Sequence, residues 1–160
     1  LLADGAFRDA LGTLQKVISF SKDKIISIEE IEEITGAPNA TLVDDFLNAL
    51  ASSDIDKGFE VINKASSQNM DMAIYIKMIL YKLRYALMLR YAPNTKKQIE
   101  GVIGEKDMKY ITGIIASKPE HISSRTLSIL LDAYQSMRTA IIAPLPLELA
   151  LIKILGDQEK

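Results

Sequence analysis

Few side chains in this 160-residue sequence have the type and spacing to do chemistry. Arg8 stands three residues after Gly5, at the head of an amphipathic segment. A guanidinium projecting from one end of a helix suits bidentate contact with a phosphate, although an arginine in that position is more often an exposed charge. Gly101-Val102-Ile103-Gly104-Glu105-Lys106 has the composition of a phosphate loop but the wrong spacing. His121 is the only histidine and there is no cysteine, which excludes multi-histidine and thiolate metal sites and leaves any serine triad dependent on one residue. Its place before Ile122-Ser123 predicts a surface residue at a helix start.

Two charged groupings read as structure. Glu29, Glu30, Glu32 and Glu33 alternate with Ile28, Ile31 and Ile34, so the segment predicts a helix with an apolar stripe and an acidic solvent face. Between Tyr75 and Tyr91, tyrosines interleave with Lys77, Lys82, Arg84 and Arg90, a mixture able to stack on bases and neutralise phosphates. At about 100° per residue Lys77 and Arg84 share a face, whereas Lys82 and Arg90 point away from them. Aliphatic residues surround most of the axis, so the expectation is a buried central helix whose cations reach outward to water. Asn39-Ala40-Thr41 matches a glycosylation acceptor without any sign of secretion. No residue is expected to be catalytic or to bind metal.

Helices must position whatever acts here. Ala10, Leu11, Leu14, Val17 and Ile18 share one side of a helix over 4–20. Ser27 with Glu30 three residues on forms a capping box before the next helix, which Gly36 and Pro38 stop. Further helices are expected over 41–51, 55–67 and 71–91, separated by polar, cap-forming residues. Weaker signals follow over 95–103, interrupted by Gly101 and ended by Gly104, and over 106–117. Helices over 123–142 and 146–155 close the chain, the last with Pro146 in its first turn. Period-two alternation is absent, and 25–28 is the only short β-like run, so the class is all-α.

Composition narrows the function. Apolar residues make up 48% and charged residues 25%, as in an ordinary globular protein. A net charge of −2 disfavours a helical DNA-binding domain. The apolar stretch 70–91 is broken by five charges and does not span a membrane. The start, Leu1-Leu2-Ala3-Asp4-Gly5, lacks both an initiator methionine and a signal core, and is expected to be a cut inside a longer, cytoplasmic protein.

The run Ala3-Asp4-Gly5-Ala6-Phe7-Arg8-Asp9-Ala10-Leu11, followed by Leu14-Gln15, resembles the sensor-2 helix in the lid of AAA+ clamp-loader subunits. Its Gly-x-x-Arg-Asp-Ala-Leu form is similar to the bacterial gamma/tau subunits of DNA polymerase III. Phe7 and Ala6 depart from the commoner aliphatic residue and serine, and the arginine is kept. Ile26-Ser27-Ile28-Glu29-Glu30-Ile31-Glu32-Glu33-Ile34-Thr35-Gly36 resembles the second lid helix, and Pro146-Leu147-Glu148-Leu149-Ala150-Leu151 the last collar helix.

The resemblance implies a lid remnant over 1–36, a helical collar for oligomerisation over 40–156 and a polar tail over 157–160. Arg8 would be the sensor-2 arginine, supported by Gly5 and Asp9, sensing ATP bound by an ATPase domain upstream. It further implies a pentamer with other clamp-loader subunits, acting on a sliding clamp and primed DNA. ATP and Mg²⁺ would belong to the intact ATPase, and no cofactor to this fragment, which lacks the phosphate loop and is not expected to hydrolyse ATP. The alternatives are a stand-alone helical adaptor gripping a partner helix, or the collar of a replication factor C-like subunit.

Overall fold

The computed structural model describes residues 7–20 and 40–156. Gly5, the acidic segment around Ile28–Ile34, the β-like run 25–28, the expected boundary at 36–39 and the tail 157–160 lie outside the described residues. Every regular element among the described residues is helical, as the all-α reading requires. They are α1 (Phe7–Phe20), α2 (Ala40–Ser52), α3 (Ile55–Ser67), α4 (Met72–Tyr91), α5 (Lys96–Ala116), α6 (Ser124–Ser136) and α7 (Leu145–Leu155), with 3-10 turns at Pro93–Thr95 and Met137–Thr139.

Local chemistry sets the boundaries. Ser53 and Asn69 adopt left-handed backbone, with φ of 58° and 55°. Beyond each, a backbone N–H reaches back to close the helix end: Asp54 N donates to the Ala49 carbonyl at 2.9 Å, and Met70 N to that of Ala65 at 3.2 Å. Asp54 then starts α3 by accepting from Lys57 N at 2.9 Å, and Asp71 starts α4 by accepting from Ala73 N and Ile74 N. Ser123 accepts from Thr126 N at the head of α6. A single short loop thus ends one helix and begins the next, which keeps α2, α3 and α4 adjacent.

α4 is the central element. It packs on α2, α3, α5 and α6, while α7 lies across α3 and α6. Its Tyr75, Ile76, Ile79 and Leu83 are fully buried with Phe46, Leu47, Leu50, Ile62, Leu130, Leu147 and Leu151 in one continuous core. The Tyr75 ring meets Phe46 edge to face, and its hydroxyl donates to the Leu42 carbonyl at 2.9 Å. Burial, reinforced by the Asp45 carboxylate, pushes this phenol well above its usual range and keeps it a neutral donor. Gly58 brings α3 against α7: a β-carbon there would lie 2.7 Å from Leu151 Cδ2.

Three features differ from expectation. The helix expected over 123–142 ends at Ser136; Thr139 Oγ1 bonds the Ser136 carbonyl, and Ala140 is already extended. Gly101 does not interrupt α5, whereas Gly104 does, with φ 77° and ψ 167°, so 96–116 is two helical segments in one line of sequence. His121, expected at the surface, is buried at 9% exposure. The loop before α6 turns inward because Arg90 Nη1 donates to the carbonyls of Pro119 (3.0 Å) and Ile122 (2.7 Å), and Ile122 fills the core.

Candidate functional site

Arg8 stands in the first turn of α1 and is exposed, as a residue reaching toward a ligand outside its own helix must be. Asp9 is in the same helix, but its side chain is outside the described residues, as is Gly5. Of the apolar positions expected to form one face of α1, Val17 is buried, while Leu11, Leu14 and Ile18 are exposed together with Phe7.

The most charged interior position was missed in the sequence. Lys82 was expected to extend outward, yet it is 9% exposed and turned inward from α4. Its Nζ lies 2.5 Å from Asp44 Oδ1 on α2 and 2.7 Å from Asp107 Oδ1 on α5, and 4.8 Å from the centre of the Tyr110 ring. The Tyr110 hydroxyl shares its proton between the Asp44 carbonyl at 2.8 Å and Asn48 Oδ1 at 3.0 Å. Burial pushes the Asp44 carboxyl up, and Lys82 opposes that shift by hydrogen bond and charge. Burial also drives the Tyr110 phenol upward, helped by Asp44 and Asp45. The partners are 38 and 25 residues from Lys82 in sequence, so no local pattern announces them.

Lys82 and Asp107 of this cluster also line a groove between α2, α4 and α5, with a volume of 420 Å³. Val43 and Ile111 lie at its base, and Met78, Tyr81, Tyr85, Val102 and Ile103 give it an apolar lining beside Lys82 and Asp107. The remaining cations of α4 do not make a basic stripe. Arg90 is spent on the two loop carbonyls, and Arg84 projects from the opposite side over Tyr85 at 5.4 Å. Among the described residues no group of three or more His, Cys, Asp or Glu is placed to hold a metal ion, and no helix is long and apolar enough to cross a membrane.

These features define a helical bundle whose polar side chains tie helices together and which leaves an apolar groove and apolar side chains exposed among the described residues. The sequence matches, over residues 26–159, the family described as DNA polymerase III subunits gamma and tau domain III. It is also 28% identical over 152 residues to DNA polymerase III subunit tau of Bacillus subtilis (strain 168), a match covering 95% of this chain and 26% of that protein. The chain belongs to the gamma and tau domain III family. It spans about a quarter of the length of the curated relative it matches.

Proposed function

We propose that this chain is the collar portion of a clamp-loader gamma/tau subunit, joined at its N-terminal side to the remainder of an ATPase lid. Residues 40–156 hold the subunit in a pentamer with other clamp-loader subunits, and residues 1–36 connect that collar to an ATPase domain. The observation that carries the reading is the match of residues 26–159 to the gamma and tau domain III family, on a chain whose described elements are all helical and leave apolar side chains exposed on α1 and α7. The intact cytoplasmic protein uses ATP and Mg²⁺ to open a sliding clamp and place it on primed DNA.

Arg8 acts in this scheme as the sensor of nucleotide. Its exposed guanidinium at the start of α1 reaches the triphosphate held by the upstream domain. Contact with the terminal phosphate favours one of two domain arrangements, and loss of that phosphate releases it.

Two experiments test the reading. Sedimentation of this chain mixed with the collar regions of the other clamp-loader subunits should give a joint complex; a chain that sediments alone in every mixture points instead to a stand-alone adaptor. Arg8→Ala in the full-length protein should slow ATP-dependent clamp loading about tenfold or more, the value of one charge-assisted contact. It should leave thermal stability unchanged, because an exposed side chain is removed. Wild-type loading by that variant refutes the role given to Arg8.

A further inference from the structure

α5 is held to the bundle unequally on the two sides of Gly104. Downstream, Met108 and Ile111 are buried, Asp107 accepts from Lys82 of α4, and the Tyr110 hydroxyl donates to the Asp44 carbonyl and Asn48 of α2. Upstream, Ile99 is the only buried residue between Pro93 and Ile103. The one ion pair of that stretch among the described residues, Lys96 with Glu100, stays within it at 4.0 Å. Thr95 bonds back to the Ala92 carbonyl, again within a single turn.

Between the two stretches lies a residue able to turn. Gly104, with φ 77° and ψ 167°, is outside the helical region, and a β-carbon there would meet nothing within 4 Å, so no packed neighbour fixes its backbone. Hinges are a few such residues that absorb a change in backbone angles, and glycine does so with the least steric restriction. The upstream stretch also shapes the groove, which Val102 and Ile103 line together with Met78, Tyr81 and Tyr85 of α4.

We infer that residues 93–103 form a strap that opens as a unit about Gly104 while 107–116 stays on the bundle. Opening carries Val102 and Ile103 away from the groove and uncovers Met78, Tyr81 and Tyr85, with the Lys82–Asp107 pair left in place. Segments with few buried contacts open at a lower free energy than the whole molecule. The strap gives up Ile99 and the partly buried Ile103. Opening the downstream stretch would also break the Asp107 and Tyr110 contacts, each worth about tenfold in an equilibrium constant. The inference does not depend on the collar reading.

Amide hydrogen exchange across the full chain, followed by NMR, tests it. Protection at 100–103 should be at least about a hundredfold below that at 110–114, nearly equal within 100–103, and should step up at Gly104. Low concentrations of urea should speed exchange at 110–114 and leave 100–103 almost unchanged, because the strap exposes little surface when it opens. Neither reading needs a variant. Tyr110→Phe then removes the hydroxyl contacts downstream. It should lower protection at 110–114 about tenfold and leave 100–103 within about twofold, since the strap opens with those contacts intact.

Equal protection on both sides of Gly104, a smooth decline along α5 without a step, or a urea dependence common to both stretches would show that no separate strap opens, and each overturns the inference. So does a Tyr110→Phe effect that is shared by both stretches or absent from 110–114.

Discussion

Lys82→Met removes one ammonium and keeps the aliphatic stem that fills the space beneath it. The carboxylates of Asp44 and Asp107, each with an oxygen within 2.7 Å of that nitrogen, are then left facing one another. Two unit charges about 5 Å apart repel by about 3 kcal/mol at an effective dielectric near 20. Stripping one partner from a buried pair costs about 3–5 kcal/mol. Asp107 is 42% exposed and water screens its share, so the lower end applies: about 3 kcal/mol at pH 7. For a chain of this length that is a fall in Tm of about 6–12 °C.

The sign of the pH dependence follows from Asp44. Burial already raises its folded pKa above the ordinary 3.8, and Lys82 is what opposes the rise. Without Lys82 the folded variant holds the proton still more tightly than the unfolded chain does. Stability is therefore regained as the pH falls from neutrality toward 3.8. Adding Asp44→Asn removes one of the two repelling charges and should bring the double variant within about 1 kcal/mol of the wild type. Urea unfolding followed by helical circular dichroism at pH 7 and pH 5 measures all of these. A single variant within about 1 kcal/mol of the wild type at pH 7, or a deficit that neither acid nor Asp44→Asn relieves, refutes the account of Lys82 as a charge shared between two carboxylates.

Glycines supply three further expectations, each read by thermal unfolding. Gly104→Ala forces a side chain into a backbone region that only glycine adopts readily and should cost about 1–3 kcal/mol, although a β-carbon there meets nothing within 4 Å. Gly113→Ala, in an exposed helical stretch of α5 with the same open surroundings, should instead gain up to about 1 kcal/mol. Gly58→Ala drives a methyl into Leu151, which is fully buried, and should cost about 1–3 kcal/mol. Equal effects at Gly104 and Gly113 would show that the break in α5 carries no strain for other residues.

What could be read in the sequence was what short stretches decide for themselves. Asp54, Asp71 and Ser123 announce helix starts through side-chain oxygens that serve amides two or three residues on, and all three do so in the structure. The expected helix over 55–67 coincides with α3, and Gly104 divides α5 where the sequence placed a stop. Lys82 and His121 were misplaced for one common reason: their surroundings come from distant chain. Helical periodicity sets a side chain's direction around its own axis, but Asp44 and Asp107 arrive from two other helices to make an inward lysine tolerable. The inward loop at His121 depends on Arg90, some thirty residues earlier. The exposed side of α7 was hidden in another way, since a leucine that faces water, as Leu149 does, and one that faces the core, as Leu147 does, look the same in sequence.

The break at Gly104 also separates two inheritances within α5. In an unbroken helix, one added residue turns everything after it by about 100°. Downstream of Gly104, Asp107 and Tyr110 take their orientation from Lys82 and the Asp44 carbonyl, not from the turns before them. A residue added or removed within 96–103 would therefore leave the anchor at 107–110 unrotated. The rim of the groove and its Lys82–Asp107 wall are thus oriented by separate stretches of α5, and a change of register in one does not turn the other.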